Sequence, residues 1–215
     1  MNRLALDELP ELEVLRHQRT EDWYPKVHRI FRTRDELLVK LVDLAPEHVD
    51  YYVERLRVAA AAPHTDPIEA LVYDEAGRFR GWVERYLPAL VPFRYFEGER
   101  EVFAAHCERQ CHLARRGYFD LDAATINYAR RPDGRVFTFD KDAVFRLTNL
   151  APCEEAFAAQ GEWPFWKLDG GSYFVLLRQS YRTVPAELQR DISAAFASAD
   201  PERIVATFAT APTRM

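Results

Sequence analysis

The chain has 215 residues, 48% of them hydrophobic and 13% aromatic, which is enough apolar material for a core in one domain or in two small lobes. A formal net charge of −5 gives no general attraction to nucleic acid or to an anionic membrane surface, and neither is expected as a partner. Three cysteines, an odd count, do not make a disulfide scaffold, and Cys107 and Cys111 read as helix packing.

No apolar run approaches the roughly 20 residues of a membrane span. The opening MNRLALDELPELEVL carries acids where a secretion signal has its apolar core, so a cytoplasmic location is expected. Leu4 to Leu15 is short, apolar and acidic with Pro10 interrupting any helix, and reads as a lead-in. Val27 to Thr33 and Glu36 to Val42 alternate apolar and polar residues around Thr33-Arg34-Asp35, the pattern of a hairpin. Lys40 lies inside the second of these runs, where a lysine either reaches water at an edge or points into a cleft.

After Pro46, Val49, Val53, Leu56 and Ala60 recur at helical spacing and predict a helix over Glu47 to Ala62, with Glu47 and Glu54 beside its apolar face. Ile68 to Tyr73 and Gly81 to Leu87 predict a second hairpin across Asp74-Glu75-Ala76-Gly77, ended by Pro88. Glu99 to Arg116 predicts a helix closed by Gly117. Beyond Arg146, helices are expected over Pro152 to Gly161, within Tyr173 to Tyr181 and Pro185 to Ala197, and after Pro201; Trp163 to Trp166 with Gly170-Gly171 reads as an aromatic loop.

The chemistry concentrates in GYFDLDAATINYARRPDGRVFTFDKDAVFR, Gly117 to Arg146. Thr125 to Ala129 and Arg135 to Phe139 read as two strands, and Arg130-Arg131-Pro132-Asp133-Gly134 supplies the turn between them. Asp120 and Asp122 precede the first strand and Asp140 and Asp142 follow the second, so the hairpin gathers the acids at its open end. Carboxylates so gathered repel unless a cation lies between them, and Mg²⁺, which takes hard oxygen ligands, suits the site.

These residues resemble the protein-kinase-like superfamily, and among its members the lipopolysaccharide-sugar and other small-molecule kinases and the minimal bacterial protein kinases. Asp122 and Asn127 are five apart and Asp140 follows thirteen later, the order of a catalytic-loop Asp, its Asn and a metal-binding Asp. A second register is open, because Asp120-Leu121 followed by Thr125-Ile126 is similar to the D-L-x-x-x-N-I of sugar kinases, with Thr in place of Asn. The resemblance therefore implies either Asp122 or Asp120 as the catalytic aspartate, with Asn127, Asp140 and Asp142 on the metal. It also implies Lys40, in L-V-K-L-V, as the lysine on the α- and β-phosphates, with Glu54 as its helix partner and Glu47 as the rival. Glu84 to Leu87, with Glu84 and Tyr86, would stand at the adenine-binding hinge.

The fold so implied is α+β and two-lobed: a small β-rich N-lobe with one helix over 1–88, and a mainly helical C-lobe over 89–215 that carries the hairpin 117–146. The activity implied is ATP- and Mg²⁺-dependent transfer of a phosphoryl group to a hydroxyl of a sugar, another small molecule or a protein. The pattern departs in three places: no His-Arg precedes the aspartate, Asp140-Lys141-Asp142 stands for Asp-Phe-Gly, and no glycine precedes Gly77 to form a phosphate-covering loop. Arg16-His17-Gln18-Arg19-Thr20 takes the place of that loop. The departures leave a non-catalytic pseudokinase, binding nucleotide or a protein partner, as the alternative.

Overall fold

The computed structural model describes residues 1–17, 27–88, 90–141, 143–149 and 181–215. The chain divides into two units, Met1–Val53 with Asp66–Ala89, and Glu54–Thr65 with Leu90–Met215. Among the described residues the fold is mixed α+β, with a mostly antiparallel six-stranded sheet and four α-helices.

Alternating apolar residues build the sheet of the first unit. Its strands are β1 (Asn2–Ala5), β2 (Glu11–His17), β3 (Val27–Thr33), β4 (Leu37–Val42), β5 (Ala70–Tyr73) and β6 (Phe79–Arg85). They lie in the order β1-β5-β6-β4-β3-β2, and only β1 and β5 run parallel. Phe31, Val39, Leu41, Ala70, Val72 and Val83 form the core of one face with Leu9. Lys40 stands opposite Trp82 in the β4–β6 register and so shares the other face, where Tyr52 of the helix α1 (Val49–Ala60) packs its ring against Trp82 at 6.3 Å.

Gly81 makes that central pairing possible. A Cβ there would lie 2.0 Å from the Lys40 carbonyl oxygen, so only glycine lets β4 and β6 approach. Both expected hairpins of this unit are present. The lead-in expected over Leu4 to Leu15 instead holds β1 and β2, with a short 3₁₀ turn at Leu6–Glu8 between them. A parallel partner more than sixty residues away, Ala70 opposite Asn2, organises β1, which its own four residues do not announce.

The second unit is built on α2 (Glu99–Ala114), which packs against α4 (Pro201–Thr210), with α3 (Ala186–Ser198) beside it. Phe119, Phe145, Phe196 and Phe208 stack through this core at centroid separations of 5.6 to 6.0 Å. Two small antiparallel sheets complete it: β7 (Tyr118–Asp120) with β10 (Val144–Arg146), and β8 (Tyr128–Arg130) with β9 (Val136–Thr138). The hairpin is therefore shorter than its sequence predicts. Thr125–Asn127 form a 3₁₀ turn rather than strand, because the Asn127 N–H closes back on the Ala124 carbonyl.

The elements expected over Pro152 to Gly161, Trp163 to Gly171 and most of Tyr173 to Tyr181 lie outside the described residues. Among the described residues no helix is long and apolar enough to cross a membrane.

Candidate active site

The acidic loop starts where α2 ends. Gly117, at φ +76°, turns the chain in a conformation that a side chain disfavours and sends it into β7. Asp120, the last residue of β7, is 4% exposed, and Arg109 of α2 donates from Nε to its Oδ2 at 2.7 Å. The same guanidinium donates from Nη1 to the Ala59 carbonyl at 3.0 Å and to Thr65 Oγ1. Burial raises the Asp120 pKa and the Arg109 charge opposes the rise. The other oxygen, Oδ1, accepts the Asp122 N–H at 2.9 Å, so Asp120 caps the loop from inside.

Asp122 is half-buried and faces a different set of partners. Its Oδ1 accepts the Ala124 N–H at 2.8 Å and its Oδ2 accepts from Asn127 Nδ2 at 2.6 Å. Its pKa is raised from the usual carboxylate range to about 7, first by burial and then by the Asp140 charge, with the Ala124 and Asn127 hydrogen bonds opposing. Asp140 is held by Thr138: the Asp140 N–H donates to Thr138 Oγ1 at 3.2 Å, and that hydroxyl donates to the Asn127 carbonyl at 2.9 Å. The Phe139 N–H reaches the same carbonyl at 3.2 Å. Thr138 thus ties the two acidic segments together.

Mg²⁺ is the group this pattern implies, and the donor set can be tested against it. Asn127 uses its amide nitrogen on Asp122, which leaves Oδ1 as the end that accepts a ligand. Asp122 and Asp140 interact unfavourably as paired anions, a cost a divalent cation relieves. Among the described residues no three His, Cys, Asp or Glu side chains are arranged to hold a metal ion. Among the described residues the loop therefore forms no all-protein cage, and a hard cation here would need oxygens from outside the protein beside the Asn127 Oδ1 and the carboxylates. Asp142, the fourth expected acid, lies outside the described residues.

In the first unit Lys40 is 7% exposed, and its Nζ lies 3.0 Å from Glu84 Oε2 and 5.7 Å from the centroid of the Trp82 ring. Trp82 Nε1 donates to Glu84 Oε1 at 2.6 Å. Glu84 and Tyr86, the two residues expected at the hinge, have these surroundings. Glu84, expected at an adenine-binding hinge, is 1% exposed inside the sheet and serves Lys40 and Trp82. Tyr86, expected beside it, donates its N–H to the Glu36 carbonyl at 2.8 Å and carries the Arg32 guanidinium over its ring at 4.7 Å.

Glu54, the expected partner of Lys40, belongs to the second unit, where Tyr118 donates from its hydroxyl to Glu54 Oε1 at 2.6 Å and Arg146 pairs with Oε2. Those hydrogen bonds lower the Glu54 pKa, the Tyr118 bond foremost. Thr125, the metal-side residue of the second register, is buried and donates its hydroxyl to the Arg94 carbonyl at 3.1 Å.

Sequence reading missed Arg109, Gln110, His106, Tyr128 and Thr138, which support the loop from behind. Their signal was the presence of His106, Arg109 and Gln110 on a helix whose face is otherwise filled by Val102, Phe103, Cys107 and Leu113. His106 is fully buried, with Nδ1 3.0 Å from the Tyr128 hydroxyl, and burial depresses its pKa to about 3. No protein-family model matches this chain, and no curated protein is significantly similar to it.

Proposed function

We propose that the chain is an ATP- and Mg²⁺-dependent phosphotransferase of reduced, two-lobed protein-kinase-like fold. In this reading it moves the terminal phosphoryl group of ATP to a hydroxyl of a sugar, another small molecule or a protein. The observation that carries the reading is the 2.6 Å hydrogen bond between Asn127 and Asp122, five residues apart, with the Asp140 charge acting on Asp122. A catalytic-loop Asp, its Asn and a metal-binding Asp are the three groups phosphoryl transfer asks of this loop. The order of elements in the first unit supports it: a three-stranded meander with Lys40 on the third strand, then a helix, then a hairpin whose second strand pairs with the lysine strand.

Asp122 is the acceptor-side carboxylate in this reading, and Asp120 is its brace, because Asp120 is committed to Arg109 and to the Asp122 N–H. A carboxyl with a pKa of about 7 accepts the acceptor hydroxyl's proton near neutral pH as the O–P bond forms and the bond to ADP breaks. Asn127 and Asp140 would hold Mg²⁺, which when bound supplies charge neutralisation to the phosphates. Lys40 is the residue assigned by resemblance to the α- and β-phosphates, and Glu84 fixes where its ammonium stands.

A non-catalytic pseudokinase is the second reading, favoured by the lack of any glycine before Gly77. A thermal-shift titration with ATP, with and without Mg²⁺, followed by an ATP-hydrolysis assay, separates the two. Ligand at a hundredfold over Kd stabilises by about 2.7 kcal/mol, and a shift that needs both ATP and Mg²⁺ and is lost in Asp140→Asn is expected. No shift with either ligand overturns the phosphotransferase reading, and a shift without turnover favours the pseudokinase.

A further inference from the structure

We propose that Gln110 is a positioning residue for the Asp122 carboxylate, acting through a two-point clamp on the main chain of Asp120; this rests on the phosphotransferase reading above. Among the described residues strand β7 pairs with β10 alone, which leaves the Asp120 N–H and carbonyl on the edge away from β10. Gln110 fills that edge as a neighbouring strand would. Its Oε1 accepts the Asp120 N–H at 2.9 Å and its Nε2 donates to the Asp120 carbonyl at 2.6 Å. The N–H can only donate and the carbonyl only accept, so the orientation of the amide is determined.

A continuous set of hydrogen bonds runs from the clamp to Asp122. Gln110 holds the Asp120 backbone, Arg109 holds its carboxylate, Asp120 Oδ1 takes the Asp122 N–H, and Asp122 in turn takes the Ala124 N–H and the Asn127 amide. Gln110 is 0% exposed and so touches neither solvent nor substrate. An apolar side chain of similar length would fill its space without the cost of desolvating an amide. The amide therefore serves the geometry of the loop, and in phosphoryl transfer a displacement of about 1 Å at the acceptor-side group can cost about a hundredfold in rate.

The test compares full-length wild type with Gln110→Met, which keeps length and removes both hydrogen-bonding ends, and with Gln110→Glu, which keeps the acceptor for the Asp120 N–H. Turnover is normalised to the folded fraction. Gln110→Met is expected to lose ten- to a hundredfold in kcat with the KM for ATP within about twofold of wild type, and Gln110→Glu to fall between them. An unchanged kcat per folded molecule in Gln110→Met, or in Gln110→Glu if the first variant does not fold, overturns the proposal. If wild type itself turns over no ATP, the phosphotransferase reading fails, and amide hydrogen exchange decides the clamp separately. Exchange accelerated about tenfold over 120–127, with the amides of α4 unchanged, upholds it, whereas equal exchange in wild type and variant overturns it.

Discussion

Lys40 and Glu84 form an ion pair at 3.0 Å inside the sheet of the first unit, and the acid stands on strand β6. Strand register sets this geometry: Lys40 is opposite Trp82, and Glu84, two residues along, is on the same face and is held by the indole N–H. The position of the lysine head is therefore built into the sheet. Removing one partner of such a buried pair leaves an uncompensated charge, so Glu84→Gln and Lys40→Met are each expected to destabilise by about 3 kcal/mol. The double variant Lys40→Met/Glu84→Leu is expected to cost less than the sum of the singles, read by urea unfolding in a double-mutant cycle.

Gly81→Ala is expected to destabilise by about 3 kcal/mol, because the new methyl meets the Lys40 carbonyl at 2.0 Å and the two central strands must part. Gly77→Ala, where a Cβ meets nothing within 4 Å, carries only the strain of φ +74° and is expected to cost about 1 kcal/mol. Equal losses in the two variants, measured by denaturant midpoint, would refute the close-approach account.

Asp122 makes stability fall as pH rises. Its folded pKa, about 7, stands above the ordinary 3.8, so between those values the folded state holds a proton that the unfolded state has released. The protonated carboxyl's contribution is complete below about pH 4 and is lost as pH rises through 7, with an upper bound of about 4 kcal/mol from the shift. Asp122→Asn is expected to flatten this decline in melting temperature between pH 4 and pH 7. A decline identical to that of wild type would show that Asp122 is not the group responsible.

His106 acts with the opposite sign. It is buried and neutral, with a pKa of about 3 in place of 6.5, so the unfolded state binds the proton first as the solution is acidified. Its contribution is intact above pH 6.5 and is lost progressively toward pH 3. His106→Gln keeps a hydrogen-bonding partner for Tyr128 and is expected to be less acid-sensitive than wild type over that range, as followed by circular dichroism. A steeper acid loss in the variant would contradict the assignment.

Local periodicity determined much of this protein. Alternation marked β3 and β4 and the spacing of Val49, Val53, Leu56 and Ala60 marked α1, because each pattern reports which side of one element meets the core, while turn residues marked the hairpin of β5 and β6 and Gly117 the end of α2. The acids of the loop, and the five-residue step from Asp122 to Asn127, could also be read directly from the chain. Tertiary structure decided which side chain pairs with which. Glu84 lies beside Lys40 because strand register selects it, and the Asp120 carboxylate and main chain are held from inside because Arg109 and Gln110 reach them across the packing of α2 on β7. β1 exists as a strand only because β5, far along the chain, offers it a parallel edge. A buried polar group takes the partner that the packed elements bring within hydrogen-bonding distance, and that choice depends on contacts between residues distant in sequence, which no local pattern records.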